Sequence, residues 1–228
     1  MELEKIQKKL GLKFEDKGLL EEALTHRSYL NENPTWHRSN NERLEFLGDA
    51  VLELVMTEEL FRKFPKREEG KLTVLRAALV NSKSLYEVAR EIGLDKELLL
   101  SRGENKDAAG KGRETISANA VEAVIGAIYI DQGYEASKRF IDNFIISKLD
   151  EVAKNGGKDA KSLVQEYAQA DFKITPRYEV LDESGPAHNR RFKVGLYFEE
   201  ELKAEGSGTS KQEAELDAAE NFLESQRK

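Results

Sequence analysis

Three carboxylates, Glu42, Glu45 and Asp49, sit within the segment Asn41-Glu42-Arg43-Leu44-Glu45-Phe46-Leu47-Gly48-Asp49-Ala50-Val51 at spacings that place them on one side of a helix. At 100° per residue they span about 60° of its circumference, and Leu44, Leu47, Val51 and Leu54 are expected to face the other way, into a core. Like charges held so close repel, which calls for a positive species among them. Oxygen donors with no thiol or imidazole nearby suit a hard ion, Mg²⁺ first and Mn²⁺ as a substitute. Two plainer roles compete. Ser39 and Glu42 have the spacing of a capping box, and Glu45 and Asp49 could form a solvated acidic stripe.

A second segment tips that balance. Ala118-Asn119-Ala120-Val121-Glu122-Ala123-Val124-Ile125-Gly126-Ala127-Ile128-Tyr129-Ile130 is apolar nearly all round, as buried helices are. Asn119 and Glu122 interrupt it strongly, three residues apart and so on one face. An ionised Glu is seldom fully buried unless it is paired or binds a metal. The expectation is therefore that two buried helices present Glu45, Asp49, Asn119 and Glu122 to one cation. A protonated or salt-bridged Glu122 serving structure is the alternative. A di-iron bundle fits poorly, because Glu45 and Glu122 are followed three residues later by Gly48 and Ile125 instead of His.

Taken together, these segments resemble the bacterial ribonuclease III family. Asn41 to Val51 is similar to its signature helix, Ala23-Leu24-Thr25-His26-Arg27-Ser28-Tyr29 to an early segment, Glu69-Gly70 to a third acidic position, and Val121 to Tyr129 to the last. The resemblance covers the whole chain. It implies an all-α endonuclease domain, Mg²⁺-dependent hydrolysis of double-stranded RNA to 5′-phosphate and 3′-hydroxyl ends, a homodimer, and a place in processing ribosomal RNA and other structured transcripts. By the same likeness Asp49, Glu122 and Glu45 carry the chemistry, Glu42 and Glu69 are outer acidic positions, and Glu69 acts across the dimer interface. Asn119 departs from the pattern, for most members carry Asp there. The change keeps a carbonyl oxygen for ligation and removes a charge. The competing account is a duplex-RNA-binding protein of the same fold that this change has disabled.

Composition agrees with two domains and with no membrane anchor. The 228 residues carry a net charge of -7 and no cysteine, which excludes thiolate zinc sites and disulfides. No apolar run is long enough to span a bilayer, and the N-terminus lacks an apolar signal core, so a cytoplasmic location is expected. Net acidity does not veto RNA, since phosphate contact depends on where Lys and Arg cluster.

Helical periodicity dominates residues 1–152, the expected endonuclease domain. Leu19, Leu20, Ala23 and Leu24 set one helix, Leu72, Val74, Leu75, Ala78 and Leu79 another, and Phe140, Phe144, Ile145 and Leu149 a third. Gly103 to Arg113 reads as a charged, Gly-rich loop. Residues 153–158 form an expected flexible linker, centred on Asn155-Gly156-Gly157-Lys158. Residues 159–228 then give a helix around Leu163 to Ala168, strands at Tyr178–Leu181, Phe192–Phe198 and Glu201–Ala204, and a last helix capped by Ser210 and Glu213.

That α-β-β-β-α order resembles the double-stranded RNA-binding domain, a small α+β module that reads duplex shape and 2′-hydroxyls across successive minor grooves. Three patches match its contact motif. They are Gln165 and Glu166 on the first helix, His188 in the turn Gly185-Pro186-Ala187-His188, and Ser210, Lys211 and Gln212 at the start of the last helix. Gln212 departs from the pattern, which has a second lysine.

Overall fold

The computed structural model describes residues 3–106, 111–154, 156–157, 159–186 and 190–226. It divides the chain into two compact units, residues 1–157 and 158–228. The first is helical throughout: α1 (Leu3–Leu10), α2 (Lys17–Ala23), α3 (Arg27–Glu32), α4 (Glu42–Lys63), α5 (Glu69–Val80), α6 (Ser82–Ile92), α7 (Arg102–Lys106), α8 (Lys111–Phe144) and α9 (Leu149–Lys154). Short 3₁₀ turns follow α6 and α8. The segments carrying Glu42, Glu45 and Asp49 and carrying Asn119 and Glu122 thus lie on the two longest helices, α4 and α8, and Glu69 begins α5.

The core of this unit forms around α8, which packs against α4, α6 and α2. Ala118, Ala120, Val121, Ala123 to Ile125, Ala127 and Ile128 are all buried, as the apolar run requires. Burial stops there, and Tyr129 and Ile130 emerge at the surface, one turn ahead of a break at Gly133. Gly133 has φ 77° and ψ -171°, a conformation that an L side chain rarely adopts, and the helix changes course at that residue. Phe140 and Ile141 resume the buried face.

Helix α4 differs from its sequence reading in one respect. Leu44, Val51, Leu52, Val55, Met56 and Leu60 are buried, whereas Leu54 is 58% exposed, Phe46 82% and Phe61 75%. At 100° per residue Phe46, Leu54 and Phe61 fall within about 80° of one another, bordering the acidic face. The helix therefore carries two apolar faces, and Leu54 belongs to the outer one. In α5, Leu75 and Leu79 are buried and Val74 faces outward.

The capping box that the spacing of Ser39 and Glu42 allows as an alternative does not form. Asn41 stands at the N-cap with its side chain turned inward, donating from Nδ2 to the Ala23 carbonyl at 3.3 Å, and its own N–H reaches the Thr25 carbonyl at 2.9 Å. Buried Asn41 thereby ties α4 to the end of α2. The loop expected over Gly103 to Arg113 is helical at both ends, in α7 and α8; residues 107–110 lie outside the description. Arg113 donates to the Asp95 carbonyl.

The second unit has the order α10 (Ala160–Asp171), β1 (Arg177–Ser184), β2 (Arg191–Phe198), β3 (Glu201–Gly208), α11 (Lys211–Ser225). Its sheet is antiparallel in the order β1-β2-β3, with Val180 opposite Val194 and Leu196 opposite Ala204. Val164 and Ala168 from α10, Leu196 and Phe198 from β2, and Ala218, Ala219 and Phe222 from α11 make its core. Both helices thus cover one face of the sheet. Ser210 caps α11 by accepting from the Glu213 N–H at 3.2 Å, while Glu213 reaches back to Thr209.

Candidate active site

Helices α4 and α8 cross at a pair of glycines. A Cβ on Gly48 would fall 1.8 Å from the Glu122 carbonyl oxygen, and one on Gly126 would fall 2.2 Å from the Leu44 carbonyl oxygen. No side chain fits at either point, so the backbones themselves make contact. Asp49 follows the first glycine and Glu122 lies one turn before the second. The crossing brings the acidic face of α4 against the polar notch of α8.

The electrostatics record that proximity. Glu122 is half-buried, and its carboxyl is pushed up to about 7, first by burial and then by Asp49, Glu45 and Glu53. Glu45 is also raised, chiefly by burial, with Glu42 and Asp49 adding to the effect. A hydrogen bond from the Asn119 side chain opposes that rise by favouring the charged carboxylate. Glu45, Asp49, Asn119 and Glu122 are therefore electrostatic neighbours, drawn from two helices.

The remaining predicted positions are placed as follows. Glu42 is exposed at the start of α4, facing Arg27 at 3.7 Å. Glu69 begins α5, accepts from the Thr73 hydroxyl at 2.9 Å, and lines a separate cavity of about 500 Å³ with Phe61, Phe64 and Arg76. The structure does not bring Glu69 to the other four. His26 is the N-cap of α3, its ring nitrogen accepting from the Ser28 N–H at 3.3 Å.

As the side chains stand, no group of three or more His, Asp or Glu among the described residues could hold a metal ion. The donor set nevertheless suits a hydrated Mg²⁺, which keeps several waters and takes only one or two carboxylates directly. Were such an ion bound, Glu45 and Glu122 would offer carboxylates to it and Asn119 an amide oxygen.

In the second unit Gln165 and Glu166 are exposed on α10, and Lys211 and Gln212 are exposed at the start of α11. The Lys211 ammonium stands 6.0 Å from the centre of the Phe192 ring. His188 lies outside the described residues.

Residues 16–149 match the Ribonuclease-III-like family, and residues 160–226 match the Double-stranded RNA binding motif. The chain belongs to the ribonuclease III family. It is 48% identical to Ribonuclease 3 of Carboxydothermus hydrogenoformans over 96% of this chain and 93% of that one. It is also 44% identical to Ribonuclease 3 of Dehalococcoides mccartyi, over 98% and 94%. Among solved structures it is similar to the nuclease domain of ribonuclease III from Campylobacter jejuni, with TM-score 0.57 and 44% identity over 64% of this chain and 96% of that one. That structure is described by flexibility in a region involved in dimer formation. A ribonuclease III domain joined to a duplex-RNA-binding module makes this chain a double-stranded-RNA-specific endoribonuclease. No helix among its described residues is long and apolar enough to cross a membrane.

The exposed stripe of α4 was missed from sequence. Phe46 stands beside the acidic face at a position that the core face does not require, and that is the available signal.

Proposed function

We propose that this endoribonuclease cuts duplex RNA by Mg²⁺-dependent hydrolysis at Glu45, Asp49, Asn119 and Glu122, leaving 5′-phosphate and 3′-hydroxyl ends. The observation that carries the proposal is the close crossing of α4 and α8 at Gly48 and Gly126, which brings the acidic face of α4 to Asn119 and Glu122, where burial and neighbouring carboxylates push the Glu122 carboxyl up. A charge cluster of this kind is costly to keep without a counter-ion. When bound, Mg²⁺ supplies an activated water near neutral pH and offsets the charge that develops on the phosphate. The protein's part is placement. Asn119 holds the Glu45 carboxylate toward α8, Glu122 would offer its carboxylate once its proton has passed to solvent, and Asp49 adds charge from the outer edge. Glu42 stands further out. Glu69 belongs to the neighbouring cavity, consistent with an action across an interface between two copies.

That interface is the outer apolar stripe of α4. Phe46, Leu54 and Phe61 are too exposed and too closely aligned for a monomer's surface, and they border the carboxylates. Two copies meeting through this stripe would set two acidic edges beside one duplex. Residues 159–228 form the RNA-binding module, joined to residues 1–152 through 153–158. Gln165, Glu166 and His188 would meet minor-groove atoms, and Ser210, Lys211 and Gln212 would meet phosphates. The substrates are ribosomal RNA precursors and other structured transcripts, cut in the cytoplasm.

Incubating the protein with a long RNA duplex, with Mg²⁺ or with chelator, tests the reading. Products should appear with the ion alone, and Glu122→Gln should stop cutting while leaving duplex binding intact. Binding without cleavage under both conditions would leave a non-cleaving duplex-binding protein instead.

A further inference from the structure

Beside the acidic cluster lies an open cleft of about 870 Å³, lined by Glu42, Glu45 and Asn119 on one side and by Arg27, Ser28 and Asn31 from α3 on the other. Among the described residues lining it, Arg27 alone is a Lys or Arg. An RNA strand that reaches the carboxylates must bring its phosphates past Glu42 and Glu45, which repel them. The cleft needs a cation at that point, and α3 provides one.

The root of Arg27 is fixed while its head is exposed. His26 caps α3 through its ring nitrogen, which meets both the Ser28 N–H and, at 2.8 Å, the Ser28 hydroxyl. The same hydroxyl accepts from the Ser101 N–H at 3.1 Å, anchoring α3 to the segment before α7. The Arg27 side chain is 72% exposed and faces Glu42, itself 53% exposed, at 3.7 Å. An exposed pair at that distance is weak and exchanges easily. A guanidinium can turn from the carboxylate to a phosphate, or bridge both, because its donors are arranged in a planar fork.

We propose that Arg27 is a substrate-positioning residue that binds one backbone phosphate of the RNA strand next to the cleavage site. The inference rests on the endonuclease reading and adds to it a specific contact from a helix that carries none of the carboxylates.

The test is a cycle between the residue and the phosphate, read by equilibrium binding so that it does not depend on turnover. Fluorescence anisotropy with a short labelled RNA duplex should show Arg27→Ala binding about tenfold more weakly than the parent, the size of one charged hydrogen-bonded contact. The plot of log affinity against log salt should flatten by about one unit. Arg27→Lys should keep that salt slope and recover part of the affinity. In duplexes carrying a neutral methylphosphonate at successive linkages, one linkage near the cut should weaken the parent by a similar factor and Arg27→Ala no further. In cleavage, KM should rise with kcat nearly unchanged. Unaltered affinity and slope in Arg27→Ala, or equal losses at every methylphosphonate position, would overturn the proposal. Loss of cleavage in the parent protein itself would count against the endonuclease reading and leave the binding cycle to judge Arg27 separately.

Discussion

Asn119 alters the cluster in a way that an aspartate could not. Its side chain donates to Glu45, so it relieves part of the repulsion among Glu45, Asp49 and Glu122 before any cation arrives. An aspartate has no such donor and adds a charge. Asn119→Asp should therefore lower the Mg²⁺ concentration for half-maximal cleavage, by about tenfold for one charge added at close range. A Mg²⁺ titration of the two forms checks it, and coincident curves would make the residue a spectator. Glu122 gives a second prediction whose sign follows from linkage. Its ordinary carboxyl value is 4.5 and burial raises it to about 7, so between those limits the folded state keeps a proton that the unfolded chain releases. Without metal, stability owed to this group is present at pH 4.5, declines as pH rises, and is lost above about 7. Glu122→Gln should then be more stable than the parent at pH 8, on the order of 1–2 kcal/mol after allowing for partial solvent exposure, and nearly equal to it at pH 4.5. Trp36, the sole tryptophan, lies in the first unit and can report urea unfolding there.

The crossing of α4 and α8 sets the site, and its tolerance for added atoms is small. A methyl on Gly48 would overlap the Glu122 carbonyl, which as backbone cannot turn aside, so the helices must part. Gly48→Ala should cost about 2–3 kcal/mol and weaken cleavage as well. Gly70→Ala in α5, where nothing lies within 4 Å, should instead gain about 0.5–1 kcal/mol. Trp36 fluorescence in urea compares the two. Much of this level was legible in the sequence, because period fixes which residues share a face: Glu42, Glu45 and Asp49 on one side of α4, and Val121, Val124 and Ile128 in the core of α8. Period does not say how many faces are covered. Leu54 is as apolar as Val51 and stands only three residues on, yet it lies outside, and local spacing carries no record of which neighbours pack. The cap failed for a related reason. Asn41 gains more from reaching the end of α2 than Ser39 would from a local turn, and that partner lies 18 residues away. Alternation marks β2 almost whole, whereas β1 and β3 run on to Ser184 and Gly208, about twice the length expected, by pairing that composition does not show.

For the whole molecule, charge divides the work between the two units. Residues 158–228 hold 11 Lys and Arg against 15 Asp and Glu, a net of -4, so the RNA-binding module has little long-range attraction for a polyanion. Its affinity alone should be weak with a shallow dependence on salt, resting on a few placed contacts such as the one proposed for Lys211. The first unit keeps its own core and all the proposed ligands. A chain ending at Gly157 should accordingly still cut duplex RNA with Mg²⁺, at a KM raised at least tenfold at physiological salt and approaching that of the full chain as salt is lowered. Full activity of the shortened chain at physiological salt would mean that the module adds nothing to binding. Self-association is a property of this level too. Phe46→Ser, on the exposed stripe, should convert the chain to a lone protomer in sedimentation while barely changing its unfolding in urea, because a side chain 82% exposed in one copy supports no fold within it. Cleavage should fall with the dimer, for a single protomer offers the duplex one acidic edge and leaves the second strand without a site.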